Sequence, residues 1–359
     1  MPRTSQPNWP RIAETLAARI PRGALHPAVV TWSDGENTAA RRPWAVAFSG
    51  GADSLALLLL LWAHWPERRA RMVALHFDHR LRGRASSADA RFCERVCGAL
   101  GLAFIGGQWT DARKRASEAE ARAARFAFFQ QALARRRIRA LWLGHQQDDI
   151  AETMMMRLAR GSGTAGLAAP RPLHRMPHGR VHARPLLTLK KDELITALTE
   201  AGATWREDAS NETEDFFRNR VRCEALPGWR GAAGERDALA GAALSRALLE
   251  EDDDALEAWV DELGALSADG RLLDVQKLDA KPRAVVRRAL HRWLAMQPDT
   301  GDLSRQGFTG LLAAVEKGAF TRFSLGSGLA VIRKGVLAYE SGPAPLSKSL
   351  SRKKCASAN

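Results

Sequence analysis

The sequence predicts an α/β protein: a doubly wound parallel sheet, then a mainly helical domain, then a small α+β segment at the C-terminal end. Three observations predict it. Short apolar runs alternate with helix-length segments between residues 43 and 201. The first of those runs turns through two glycines directly into a leucine-rich helix. Beyond residue 234 the apolar residues fall at helical spacing, and short alternating segments return only near the end.

Taken in order, residues 1–42 read as a basic extension. Ile12, Leu16 and Ile20 make one helical stripe, and the surrounding prolines and polar residues predict loose packing. Strands are expected at 45–48, 72–77, 103–105 and 140–143, and helices at 54–63, 88–100, 118–135 and 150–159. Such a sheet, covered on both faces, binds ligands beyond the carboxyl ends of its strands. Residues 161–185, rich in Gly, Pro, His and Arg, read as loop. A helix at 190–201 ends at Gly202 as its C-cap. The composition of 228–234 is that of a linker. Leu256, Trp259, Val260 and Leu263, and then Val286, Ala289, Leu290, Trp293 and Leu294, form helical packing stripes. Glycine-punctuated segments at 320–337 suggest a small hairpin, and the polar, basic end from 347 reads as disordered. These boundaries give a catalytic domain at 43–227, a helical domain at 235–298, a small segment at 299–345 and a tail at 346–359.

Composition narrows the function classes. A formal net charge of +14 suggests a polyanionic partner, most simply nucleic acid, against the plainer reading of a general arginine bias. Cys93 and Cys97 lie four apart on one helix face, while Cys223 and Cys355 stand alone. None forms a CxxC pair, which argues against a disulfide framework, a zinc site or a thiol redox centre and fits a reducing cytoplasm. No apolar stretch reaches the roughly 20 residues a membrane span needs, and the N-terminus lacks the apolar core of a signal peptide.

The chemistry is densest in "AVAFSGGADSLALLLLL", Ala45 to Leu61. Gly50 and Gly51 lack a Cβ, so backbone N–H groups there can approach phosphate oxygens, and the helix that follows offers unpaired donors and partial positive charge. Ser49 and Ser54 add hydroxyls around Ala52. Asp53 would repel phosphate unless a cation lies between them, a place that suits Mg²⁺. The competing reading makes Asp53 or Ser54 a simple N-cap. No Gly-Lys-Ser or Gly-Lys-Thr closes the loop, so it is not the P-loop ATPase pattern.

A second concentration lies in "GHQQDDIAETMMMRLARGSG" from Gly144. Asp148 and Glu152 share a helix face, with Asp149 beside them. The cluster suits Mg²⁺ or an ammonium group, or else merely complements a helix N-terminus. His145 reads equally as a base, a substrate contact or a local hydrogen-bond donor. Met154 to Met156 read as core filler. Arg157 and Arg160 are phosphate contacts or solvated charges. Arg218, Arg220 and Arg222 read as RNA-phosphate contacts, with a solvated basic segment as the alternative. Arg135, Arg136, Arg137 and Arg139 read as a solvated helix end.

The SGGxDS stretch resembles the signature of the PP-loop ATP pyrophosphatases, and an ordered set of further blocks is similar to the lysidine-forming branch of that superfamily. The blocks are "HFDHRLRG" from His76, "SEAEARAARFAFF" from Ser117 with Glu120, Arg122, Arg125 and Phe126, the Gly144 block, "RPLL" from Arg184, and "EDASNETEDFFRNRVR" from Glu207. Together they span roughly residues 45–227. The resemblance implies the adenine nucleotide alpha-hydrolase-like fold and a ligase reaction. Its co-substrates would be ATP with Mg²⁺ and free L-lysine, and its target the wobble cytidine of a CAU-anticodon isoleucine tRNA. It implies that Ser49, Gly50, Gly51, Ala52, Asp53 and Ser54 hold ATP, and that Asp53 and the Asp148, Asp149 and Glu152 cluster position Mg²⁺ or the lysine ammonium. Arg122, Arg125 and Arg218 would face charge on the α-phosphate. It tilts His145, Arg125, Arg157, Arg160, Arg220 and Arg222 toward tRNA or substrate. The basic extension before Pro43 departs from the family pattern, and the C-terminal portion is shorter than in longer relatives. A second copy of the chain remains open as a partner. The rivals are a PP-loop tRNA thiolase, disfavoured by the cysteine pattern, and a non-catalytic RNA-binding protein on a relic nucleotide fold, disfavoured by the intact SGGADS and acidic cluster.

Overall fold

Parallel pairing organises the first of two compact units, Met1–Glu250 and Glu251–Asn359, in a computed structural model of the chain. The structure describes residues 7–35, 42–79, 84–110, 118–176, 179–206, 217–298, 300 and 303–341. In the first unit α1 (Trp9–Arg19) and α2 (Pro27–Gly35) precede β1 (Trp44–Ala47), α3 (Ala52–His64), β2 (Met72–Asp78), α4 (Arg84–Ala99), β3 (Ala103–Gln108), α5 (Glu118–Arg135) and β4 (Ala140–Trp142). There follow α6 (Gln147–Ala159), α7 (Thr164–Leu167), β5 (Leu173–Met176), β6 (Arg180–Ala183), α8 (Lys191–Glu200), α9 (Phe217–Arg220) and α10 (Leu226–Ala232). The helix α11 (Ala238–Leu263) includes the boundary between the units.

The sheet runs β3-β2-β1-β4-β6-β5, with every pair parallel except β5 with β6. Strands such as Trp44-Ala-Val-Ala and Ala140-Leu-Trp carry no polar face because helices cover both sides. For the same reason α3 is apolar all round, with Leu55 through Trp62 buried. The rings of Trp44 on β1 and Trp142 on β4 meet at 4.5 Å, and Trp65 packs against both, locking the two central strands together.

The extension is not loosely packed. Trp9, Ile12, Ala13, Leu16 and Ile20 are buried in the main core, and α1 packs on α3, α4 and α8. The stripe seen in sequence was correct, but the surrounding prolines serve a cap and turns: Pro10 sits in the first turn of α1, and Asn8 accepts from the Arg11 N–H at 3.2 Å. The stretch 161–185 is not only loop, since it contributes α7, β5 and β6. The supposed linker 228–234 lies mostly in α10, and the division between units falls at Glu250. Met154 to Met156 are half-buried, with Met155 against a small cluster around Ile150. Ala201, not Gly202, is the C-cap of α8, and Gly202 takes the left-handed φ of +76° one residue beyond it.

The second unit holds the C-terminal part of α11, β7 (Leu272–Asp274), α12 (Arg283–Ala295), α13 (Arg305–Lys317), β8 (Thr321–Leu325), β9 (Gly328–Arg333) and β10 (Val336–Ser341). Its antiparallel sheet, β7-β10-β9-β8, is larger than the expected hairpin. Val286, Ala289, Leu290 and Trp293 are buried in its core with Val260, while Trp259 is 41% exposed and leaves the predicted stripe. The segments predicted at 80–83 and 207–216, Ser117, and the tail beyond Ser341 lie outside the described residues.

Candidate active site

The strand order reverses between β1 and β4: successive strands leave β1 toward β2 and β3, then continue on the other side of the sheet from β4 to β6. Chain segments leaving the carboxyl ends of such neighbours diverge and open a crevice. Residues 48–51 after β1 and 143–146 after β4 flank it, so the two stretches singled out in sequence meet at one place.

The first stretch is preformed. Gly50 has φ +94°, and a Cβ there would lie 3.1 Å from the Cys93 sulfur. Its carbonyl accepts from the Arg206 N–H at 3.0 Å. The Ser54 hydroxyl donates to the Gly51 carbonyl at 3.0 Å and accepts from the Ser49 N–H at 3.2 Å, while the Gly51 N–H donates to the Ser49 hydroxyl at 3.3 Å. The serines therefore brace the turn. Gly51, not Asp53 or Ser54, is the N-cap of α3, and no side chain caps it. The first turn is thus left without the side-chain acceptor that ordinarily satisfies a helix start.

Gly144 brings the second stretch against the first: a Cβ at this position would lie 2.9 Å from the Asp53 carbonyl oxygen. Beyond it, Gln146 and Asp149 form a capping box at the start of α6, with the Gln146 N–H donating to Asp149 Oδ2 at 2.9 Å. Asp148, Asp149 and Glu152 are all buried. Asp148 accepts from the Lys191 N–H at 3.0 Å. Arg218 pairs with Asp149, and its Nε donates to Glu152 at 2.8 Å. Arg222 holds both Glu152 oxygens, at 2.6 and 3.0 Å.

This corrects one expectation in part. Arg218 and Arg222 are neither a solvated segment nor open phosphate contacts in this structure, because two buried carboxylates take their donors. The chain turns through α9 into a π-helical turn, and a spacing of four puts both arginines on one face. Arg220 points elsewhere, with its guanidinium 6.0 Å from the Phe217 ring, and is exposed.

Asp53 is different from its acidic neighbours. Its Oδ1 is buried and has no hydrogen-bond partner among the described residues. Burial, and then the nearby Asp149 charge, pushes its carboxyl up to about 6. Among the described residues no group of three or more His, Cys, Asp or Glu is arranged to hold a metal ion by itself. An orphaned, partly protonated carboxylate at a helix start does fit one ligand position on a hard cation that keeps oxygen donors from water and phosphate. Beside the cluster a cleft of 390 Å³ is lined by Asp148, Glu152, Lys191, Arg222 and Arg230 among others.

The other wall is basic. His145 follows Gly144, and Arg184 follows β6, the neighbour of β4. Arg184 is buried, and its Nε donates to His145 Nδ1 at 3.1 Å. Burial, then Arg184, Arg218, Arg122 and Arg125, hold the His145 imidazole well below the usual histidine range. Burial and the neighbouring Arg122 charge also bring Arg184 down, to about 10. Arg122 and Arg125 both lie over the Phe126 ring, at 5.0 and 5.8 Å. Arg157 donates to the Gly166 carbonyl and so braces the turn after α6, whereas Arg160 is exposed. Arg135, Arg136, Arg137 and Arg139 are exposed as expected.

Gly144, Gln146, Lys191 and Arg184 join the site without a role expected from the sequence. The signal for Gly144 was its place between a strand and the acidic cluster. For Arg184 the signal was the "RPLL" block it opens, but its contact with His145 depends on β6, a strand the sequence pattern does not show.

A family model described as a PP-loop domain matches residues 31–228. The chain is 36% identical to a tRNA(Ile)-lysidine synthase of Geobacter sulfurreducens over 73% of its own length and 56% of that protein's. To the same-named protein of Solibacter usitatus it is 38% identical, over 76% of this chain and 60% of that one. The corresponding Bacillus subtilis protein is 38% identical over 51% of this chain and 39% of its own. The chain therefore spans 56–60% of the first two of these relatives. Among solved structures, a U34-tRNA thiolase from Methanococcus maripaludis aligns with a TM-score of 0.47 at 16% identity, covering 67% of this chain and 78% of that one. With the family model covering more than half of its 359 residues, and with the loop and sheet topology described above, the chain belongs to the PP-loop domain family.

Proposed function

We propose that the chain joins L-lysine to C2 of the wobble cytidine of a CAU-anticodon isoleucine tRNA, using ATP and forming lysidine, AMP and diphosphate. The observation that carries this reading is the meeting of two stretches at the switch point: the braced Ser49–Ser54 turn and, across Gly144, a wall of buried carboxylates. The relatives named above, tRNA(Ile)-lysidine synthases, point to the acceptor.

The chemistry explains why ATP is required. The C2 oxygen of cytosine is a poor leaving group. Its attack on the α-phosphorus forms an O–P bond and expels diphosphate. The lysine ε-amine then attacks C2 and loses a proton, and the C2–O bond breaks to release AMP. The turn at 49–54 and the start of α3 hold the triphosphate through backbone N–H groups. Asp53 would hold Mg²⁺, which when bound offsets charge between carboxylate and phosphates. Arg122 and Arg125 lie on the opposite wall, suited to charge gathering at the α-phosphate. Asp148, which lines the cleft, is the acidic group best placed for the lysine ammonium, because Arg218 and Arg222 already engage Asp149 and Glu152. Arg160 and Arg220, both exposed, would contact tRNA phosphates. The reaction draws on cytoplasmic substrates, and no helix among the described residues is long and apolar enough to cross a membrane.

The test combines labelled lysine, ATP with Mg²⁺ and unmodified CAU-anticodon tRNA. Lysine enters the tRNA with equimolar AMP and diphosphate, and Asp53→Ala abolishes this. Release of ADP and orthophosphate, or equal incorporation by the Asp53→Ala protein, overturns the reading.

A further inference from the structure

The contact between Arg184 and His145 fixes a proton. A guanidinium can only donate, and its Nε lies 3.1 Å from His145 Nδ1. Nδ1 must therefore present its lone pair, and the single proton of the neutral ring sits on Nε2. We propose that Arg184 is a positioning residue that holds His145 as the Nε2–H tautomer, so that His145 serves the reaction as a hydrogen-bond donor and not as a base.

Several features make Arg184 suited to this. Its own backbone is pinned, with the Arg184 N–H donating to the Pro172 carbonyl at 2.8 Å. Its NH1 donates to the Arg171 carbonyl at 2.8 Å, which turns the guanidinium edge toward the imidazole. Strand β6 pairs in register with β4, placing residues 184 and 145 at adjacent strand ends. The groups around the ring act in the same direction. Arg184 beyond β6, Arg218 on α9, and Arg122 and Arg125 on α5 are the leading charges bearing on His145, and each disfavours a second ring proton, while the nearby carboxylate Asp149 is engaged by Arg218. A base needs an open lone pair, and here the only one is occupied. A neutral Nε2–H, by contrast, is set to donate to an oxygen that becomes more negative during reaction. This role rests on the proposed reaction; the tautomer does not.

The experiment has two arms. In the first, ¹⁵N-histidine-labelled protein without substrates is titrated from pH 8 to pH 5, and the His145 resonances are assigned by their loss in His145→Gln. The expected result is an unprotonated Nδ1 and a protonated Nε2 at pH 8, with the ring still neutral where an ordinary histidine has become charged. Arg184→Met should release the tautomer and raise the His145 midpoint by about one pH unit or more, whereas Arg184→Lys, which keeps a donor and a charge, should stay close to wild type. A proton on Nδ1 in the wild-type protein overturns the proposal, as does an Arg184→Met protein with unchanged resonances. Should Arg184→Met fold poorly, the wild-type and Arg184→Lys spectra decide the question.

The second arm measures tRNA-dependent diphosphate release. Arg184→Met should lose about 100-fold or more in kcat with little change in the KM for ATP, and Arg184→Lys should recover much of it. A kcat for Arg184→Met within a few-fold of wild type overturns the proposal. Absence of lysidine formation by the wild-type protein would instead overturn the proposed reaction, leaving the first arm to judge the tautomer.

Discussion

Replacing Asp53 with Asn should make the protein more stable while silencing the site. The fold holds this carboxyl at about 6, against 3.8 for an ordinary aspartate, chiefly through burial and then through repulsion from Asp149. A rise of that size corresponds to about 3 kcal/mol of differential interaction between the protonated and ionised forms. Because the folded-state value lies above the unfolded one, the contribution favouring the fold is fully present below pH ~4 and is lost as pH rises through ~6. At pH 8 the ionised Asp53 therefore costs about 3 kcal/mol. Asn removes the charge but leaves an amide with few partners, which returns about 1 kcal/mol of that gain. The net of about 2 kcal/mol corresponds to roughly 4 °C in Tm for a unit of this size. The assay is thermal unfolding of wild type and Asp53→Asn in chelator-treated buffer at pH 4, 6 and 8. The gap should be smallest at pH 4, grow through pH 6 and level off by pH 8. Equal Tm values at pH 8, or a variant less stable there than at pH 4 relative to wild type, would refute the reasoning.

Three further outcomes follow from the same geometry. Gly144→Ala must push a Cβ against backbone at 2.9 Å, so it should cost about 1–3 kcal/mol in chemical denaturation and weaken ATP binding in titration calorimetry. Arg218→Met removes a partner from both Asp149 and Glu152, which are buried, and should destabilise by about 3 kcal/mol or more; adding Asp149→Asn should return part of that loss. Arg160→Ala should leave ATP binding unchanged, weaken tRNA binding across sequences and lower the slope of log affinity against log salt by about one.

Much of this architecture was legible because two periodicities are strong in the chain. Helix 118–135 was placed to the residue, and the four central strands within a few, since buried parallel strands and long helices leave unambiguous apolar runs. The strand β6 escaped because Arg180-Val-His-Ala carries polar groups on both sides of one valine, and pairing with β4 rather than composition makes it a strand. Without β6 the contact between Arg184 and His145 could not be read. The pairing of Arg218 and Arg222 was hidden for another reason. A run of alternating arginines has the same composition whether it faces water, phosphate or carboxylate, and only the fold that brings α9 beside α6 decides among them. Loop 49–54 was legible in outline, yet its serines proved to brace the turn, a choice set by hydroxyl geometry that residue identity leaves open.

The pairing at the acidic wall bears on how a triphosphate could enter. Four carboxylates, Asp53, Asp148, Asp149 and Glu152, stand in or beside the crevice, and Arg218 and Arg222 neutralise Asp149 and Glu152. Asp148 takes a backbone N–H and lies 4.0 Å from the half-exposed Arg230. Of these four carboxylates only Asp53 has a buried oxygen without a hydrogen-bond partner among the described residues. Two unit charges at about 4 Å interact by roughly 4 kcal/mol at an effective dielectric of 20, so a phosphate directly beside an ionised Asp53 would face repulsion of that order at close range. Two routes remove that repulsion, protonation of Asp53 or a cation against Oδ1. They separate by pH: with metal chelated, ATP affinity should rise as pH falls from 8 to 5, while with Mg²⁺ present it should be nearly flat. Metal-free affinity that stays flat across that range would mean that Asp53 does not face the phosphates at all.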